Sequence, residues 1–277
     1  MPSLSIMVAP NGARKTKADH PNLPLTIEDI AAEARACRDA GAQAIHLHIR
    51  DDNGRHSLDA QRYRAAIEAV RRAAGADIII QITTEAVGIF GPRDQIEVVR
   101  AVQPEAVSIA VKEMVPDASA EPAAAELYAW AHKRRVAVQH IVYSLDEFAR
   151  LIDLIDRGIV PGRRHSLIFP LGRYAVEQES SPAEVIPFLG MVGAHGGAAR
   201  FDWWVCAFGT RETQALVAAA ALGGHCRIGF ENSFFHADGR EARNNAERVG
   251  ALAAALSGLC LSRGPRDETL RALGRPD

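Results

Sequence analysis

Two histidines one residue apart, His46 and His48, lie inside the apolar run spanning residues 44–49. Side chains of an extended strand alternate between faces, so the two imidazoles share one face while Ile45, Leu47 and Ile49 share the other. Imidazoles placed this way suit a transition-metal dication, and an open catalytic site needs one more protein ligand. Glu231 stands where the last strand-like run, residues 226–230, gives way to polar residues, and it is the expected third ligand. Two histidines and a carboxylate with open positions make a Lewis-acid centre. Zinc is the first choice, and a non-haem iron accepts the same donors. Arg227 lies four residues before Glu231, so strand alternation places both on one face, and an inward cation there must pair with a carboxylate or a polarised substrate group.

Other polar residues mark strand ends. Thr83, Thr84 and Ser108 offer hydroxyls that either bond a substrate oxygen or fill an inward polar layer. Arg50 and Asp51 follow the histidine pair and are expected to form a mutual or supporting ion pair. Arg14, Lys15 and Lys17 crowd a polar segment, residues 10–25, where they would hold an anionic substrate or a phosphate-bearing cofactor, or simply be solvated. The segment Leu171-Gly172-Arg173-Tyr174 is a second glycine-containing loop. No GxGxxG or P-loop lysine motif appears, so a dinucleotide or ATP site has little support.

These residues need elements to position them. Eight short β-branched or apolar runs (residues 4–9, 44–49, 78–83, 106–111, 137–143, 166–169, 203–208 and 226–230) alternate with helical patterns over 26–40, 58–73, 92–102, 121–134, 145–157, 182–192, 210–222 and 240–261. Thr26 and Ser181-Pro182 read as helix starts, and Gly41, Gly158 and Gly223 as stops. Eight strand–helix units predict a parallel sheet closed into a (β/α)8 barrel, with residues 1–277 forming one domain. The histidines and Glu231 then face the barrel interior at its C-terminal mouth, and the loop 10–25 lies on that rim.

The 277 residues are 48% hydrophobic and 24% charged with a net charge of −2, which argues against disorder and a polyanion-binding surface. Cys37, Cys206, Cys226 and Cys260 form no CxxC pair and are expected to be buried reduced thiols, as in the cytoplasm. The N-terminal stretch lacks signal-peptide character, and no apolar run approaches a bilayer's thickness.

The chain resembles the β-keto acid cleavage enzymes. The resemblance runs through Asn11-Gly12-Ala13, Asp19-His20-Pro21-Asn22-Leu23-Pro24, His46-Leu47-His48-Ile49-Arg50, Ile79-Ile80-Gln81-Ile82-Thr83-Thr84, Pro104-Glu105, Gly223-Gly224-His225 and Gly229-Phe230-Glu231. It implies a (β/α)8 barrel, usually a homotetramer, with one zinc per subunit on His46, His48 and Glu231. The implied reaction is a retro-Claisen exchange in which a β-keto acid and acetyl-CoA give acetoacetate and a new acyl-CoA. Thr83 and Ser108 map to substrate-binding hydroxyls, and Arg227 to the arginine of the catalytic dyad. Three positions depart from the family member that cleaves 3-keto-5-aminohexanoate. Arg14 replaces the acid that meets the substrate ammonium, so an anionic or neutral tail is expected, for instance a β-keto dicarboxylate. Asn232 replaces the catalytic aspartate, and an amide cannot act as a general base. Glu85 replaces a Gly-Gly pair, where it would contact substrate or supply the missing carboxylate. Competing readings are another metal-dependent lyase or hydrolase that does not use CoA, and a non-catalytic sensor of keto acid or metal.

Overall fold

A computed structural model describes residues 3–277. Its centre is a closed barrel of eight parallel strands. In chain order these are β1 (Ile6–Val8), β2 (Ala44–Leu47), β3 (Ile79–Thr83), β4 (Ala106–Ala110), β5 (Ala137–Ile141), β6 (His165–Leu171), β7 (Phe201–Ala207) and β8 (His225–Ile228). Each pairs with the next, and β8 closes the ring against β1 through Cys226–Ile6 and Ile228–Val8 register pairs. The helices outside are α1 (Ile27–Asp39), α2 (Ala60–Ala74), α3 (Pro92–Val102), α4 (Glu121–Lys133), α5 (Leu145–Asp156), α6 (Val185–Ala194), α7 (Glu212–Ala221) and α8 (Asn245–Leu256), followed by α9 (Arg266–Ala272).

Outward strand residues such as Ile45, Leu47, Ile80, Ile82, Val107 and Ile228 form the main core with the helices. The inward residues Met7, Ala44, Ile79, Ala106 and Ala137 meet Leu270, Ala272 and Leu273 of the C-terminal segment, which seals the N-terminal end of the barrel. The strand and helix periods read from the sequence thus place the right faces inward.

Several boundaries differ from expectation. The Thr26 start is a full capping box with Asp29. The sixth helix begins as a 3-10 turn, Pro182–Glu184, capped by Ser181, before α6 starts at Val185. The eighth starts only at Asn245, because the Asn244 side chain caps the Glu247 amide. Cys260 therefore lies beyond that helix and is exposed, unlike the buried Cys37, Cys206 and Cys226. Among the described residues, no helix is long and apolar enough to cross a membrane.

Candidate metal centre and active site

Strand β2 ends at Leu47, so His46 is a strand residue and His48 follows it. Both are nonetheless buried, and their Nε2 atoms are 3.1 Å apart. Glu231 is reached differently from the expected strand alternation. Strand β8 stops at Ile228, and Gly229 takes a φ of +142°, where a Cβ would also be 2.5 Å from the Ala9 carbonyl oxygen. The chain turns, with the Asn232 and Ser233 amides donating to the Gly229 carbonyl. That turn carries Glu231 inward across β1. Its Oε2 lies 3.4 Å from His48 Nε2 and 3.7 Å from His46 Nε2. A point about 2 Å from all three atoms lies between them, which is the length of a Zn–N or Zn–O bond.

The donor chemistry fits a metal. His46 Nδ1 donates to Gln81 Oε1 at 2.7 Å, which leaves the Nε2 lone pair free. Burial, with Arg227 nearby, pushes the His46 pKa well down, so this imidazole is a neutral ligand. Glu231 is buried too, which opposes its charge, but Arg227, His46 and His48 outweigh that and hold its carboxyl well below the usual range. Arg227 Nη2 donates to Glu231 Oε1 at 3.1 Å, while the buried Oε2 has no hydrogen-bond partner among the described residues. A buried carboxylate oxygen left unpaired beside two imidazoles suits coordination to a cation.

The bond to His46 starts a chain of polar side chains through the barrel interior. Gln81 donates to Gln139, Gln139 to Ser166, and Ser166 to the Ala272 carbonyl of α9. The sequence assigned no role to Gln81, seen only as part of a motif, or to Gln139. The available signal was an amide at an inward parity inside an otherwise apolar run.

A cavity of about 160 Å³ opens over the three donors, lined by Arg14, Lys15, Thr83, Glu85, Arg173 and Arg227 among others. The loop carrying Arg14 and Lys15 is held by backbone contacts. Arg50 donates to the Gly12 and Lys15 carbonyls, and Asn11 Nδ2 to those of Pro24 and His48. Arg50 therefore does not pair with Asp51, which is bound by Arg55 instead. Gly12 has a φ of +63°, and a Cβ there would be 2.7 Å from Glu231 Cγ, so the loop's glycine makes room for that side chain. Lys15 donates to the Phe230 carbonyl at 2.7 Å and covers the Phe234 ring.

Glu85 lies at the mouth, 4.0 Å from Arg14, 4.0 Å from Arg173 and 3.9 Å from His48 Nδ1. Thr83 lines the cavity and its hydroxyl accepts the Glu85 amide. Two expected site residues are not on the cavity wall. Ser108 is buried with its hydroxyl unpartnered among the described residues, and Asn232 is buried with both amide atoms unpartnered likewise. Arg173, from the second glycine-containing loop, does reach the site.

Residues 3–265 match the family described as beta-keto acid cleavage enzyme. The chain belongs to this family. As a β-keto acid cleavage enzyme it acts on keto acids, and the resemblance read from its motifs holds over nearly the whole chain. The 3-keto-5-aminohexanoate cleavage enzyme of Fusobacterium nucleatum subsp. nucleatum is 29% identical over 266 residues, spanning 90% of this chain and 89% of its own. The 3-oxoadipate:acetyl-CoA acetyltransferase of Cupriavidus necator is 26% identical over 259 residues, spanning 90% and 87%. Among solved structures, ObcA in complex with oxaloacetate superposes with a TM-score of 0.67 at 17% identity, over 93% of this chain and 68% of that one, and shares the barrel fold.

Proposed function

We propose that this β-keto acid cleavage enzyme binds zinc through His46, His48 and Glu231 and uses it to exchange acyl groups between a β-keto dicarboxylate and acetyl-CoA. The observation behind this reading is the convergence of the three donors on one point beneath a cavity lined by Arg14, Lys15 and Arg173. In the exchange, the bond between C2 and C3 of the keto acid breaks. The acyl fragment passes to the CoA sulfur, and the acetyl group joins the remaining two-carbon unit as acetoacetate. A zinc ion held there supplies positive charge to the keto and carboxylate oxygens of the substrate.

The chain's own residues do the rest. Arg227 keeps Glu231 ionised and aimed inward. Arg14, Lys15 and Arg173 present cations to a distal carboxylate and to the phosphates of CoA. Asn232 lies off the cavity wall, so Glu85, the other carboxylate lining the cavity besides Glu231, is the remaining acidic proton carrier. Thr83 fixes the backbone of Glu85 by accepting its amide. The family's usual assembly makes a homotetramer the expected oligomer.

A panel of β-keto acids with anionic, neutral and ammonium tails, incubated with acetyl-CoA, tests the proposal through acetoacetate release and metal content. The dicarboxylate is expected to have the highest kcat/KM, and Arg14→Glu to shift preference toward the ammonium tail by roughly 10-fold or more, since a like charge at the tail is costly. A wild-type preference for the 5-amino substrate would overturn the substrate assignment. Consumption of keto acid without acetyl-CoA would favour a CoA-independent lyase.

A further inference from the structure

The two histidines of the site are supported unequally. His46 Nδ1 has a hydrogen-bond partner in Gln81, whereas His48 Nδ1 is buried with none among the described residues. With Nε2 turned toward the metal position, Nδ1 of His48 carries the proton and needs an acceptor. Among the described residues, the one carboxylate oxygen within 4.0 Å of it is Glu85 Oε2, at 3.9 Å. The backbone of Glu85 is pinned on two sides: its amide donates to Thr83 Oγ1 at 3.0 Å and its carbonyl accepts from His56 Nε2 at 2.8 Å. The next amide, Ala86, donates to Glu113 Oε2 at 3.0 Å. The fixed backbone leaves the Glu85 side chain as the part that can adjust, and closing the 3.9 Å gap to His48 Nδ1 to a hydrogen bond takes a shift of about 1 Å. Its other oxygen, Oε1, faces Arg14 and Arg173 at 4.0 Å each, which steer the carboxylate without locking it.

We infer that Glu85 is a positioning residue for the metal: it accepts the Nδ1 proton of His48, fixes that imidazole's tautomer and aim, and thereby raises the affinity of the site. This rests on the reading that His46, His48 and Glu231 hold a metal ion. It gives the residue that stands in place of the Gly-Gly pair a task apart from proton transfer, and it links the cations of the cavity mouth to the metal through a single carboxylate.

The test compares zinc affinity, by chelator competition, in the full-length wild type, Glu85→Gln and Glu85→Met. The two substitutions are close in volume, but only glutamine offers an oxygen to His48. Glu85→Met is expected to lose roughly 10–100-fold in affinity, the usual effect of removing such an outer partner. Glu85→Gln should stay within a few-fold of the wild type. Cobalt-loaded Glu85→Met should show a shifted visible absorption band, while the metal-free proteins melt together. Wild-type affinity and spectrum in Glu85→Met would overturn this inference alone. A wild type that binds no zinc would overturn the metal reading as well.

Discussion

Lys15 shows how a single buried charge sets a working range. Burial lowers its pKa to about 8, against the opposing pull of Glu212, Glu231 and Asp19. Its ammonium is therefore present at neutral pH and disappears as the pH rises through 8. If it grips an anionic substrate, KM for a β-keto dicarboxylate should climb above pH 8, with kcat changing less. Lys15→Met should start with a higher KM and show no such climb. Steady-state kinetics between pH 6.5 and 9.5 check this, and identical KM profiles in both proteins would remove Lys15 from substrate binding. Much of this chemistry was readable residue by residue. His46, His48, Glu231 and Arg227 stand out in the sequence because each sets a polar or charged side chain within or at the end of an apolar run, where the other reading is a hydrogen-bonded polar interior. Ser108 and Asn232 are harder to place from sequence. A polar residue at a strand end has several places to point, and only packing decides that these two lie away from the cavity.

The element that decides the site is the turn after β8, and it was read as two more strand residues. Sequence alternation put Arg227 and Glu231 on one face, and the two do meet at 3.1 Å, but across a turn rather than along a strand. Gly229 makes that possible. The turn is also braced from behind: the Asn245 side chain accepts the Phe230 amide and donates to the Pro10 carbonyl, and Glu212, paired with Arg248 in full burial, accepts the Gly229 amide. Such a position tolerates no Cβ. Gly229→Ala is expected to lower unfolding free energy by about 2–3 kcal/mol through strain and clash. Gly54→Ala, with a φ of +74° and nothing within 4 Å of a new Cβ, should cost only about 1 kcal/mol. Urea unfolding of the two variants checks the contrast, and zinc content should fall only in Gly229→Ala. Equal stability losses would mean that the close approach to Ala9 relaxes cheaply. The eight strands were easier to foresee than this turn, since periodicity is a property of many residues and a turn depends on one.

At the scale of the whole barrel, alongside the buried His46 and His56 of the site end, the end opposite the site contributes to behaviour in acid. Three histidines are buried there among the elements that close the barrel floor. Burial lowers His140 to about 3, His165 to about 4 and His225 to about 4. The unfolded chain holds these groups near 6.5, so between pH 6.5 and 4 it takes up protons that the native state refuses. Stability contributed by the neutral rings is complete above pH 6.5 and is lost as the pH falls through that window, at about 1 kcal/mol per pH unit for each histidine. Melting temperature should drop steeply from pH 6.5 to 4.5. A His140→Gln, His165→Gln double variant should lose part of that slope, whatever its stability at pH 7. An unchanged slope would assign the acid sensitivity to other groups.

The loop over the active site is tied down through its carbonyl oxygens. Arg50 grips Gly12 and Lys15 by their backbones, and Asn11 does the same to Pro24 and His48. Arg14 projects from this loop with most of its side chain exposed and no part in holding it. The Asn11 and Lys15 side chains help hold the loop, but Arg14 does not, so exchanging its charge should cost little in folding. A substitution at Arg14 then changes the charge offered at the cavity mouth, while the arrangement of His46, His48 and Glu231 beneath stays the same.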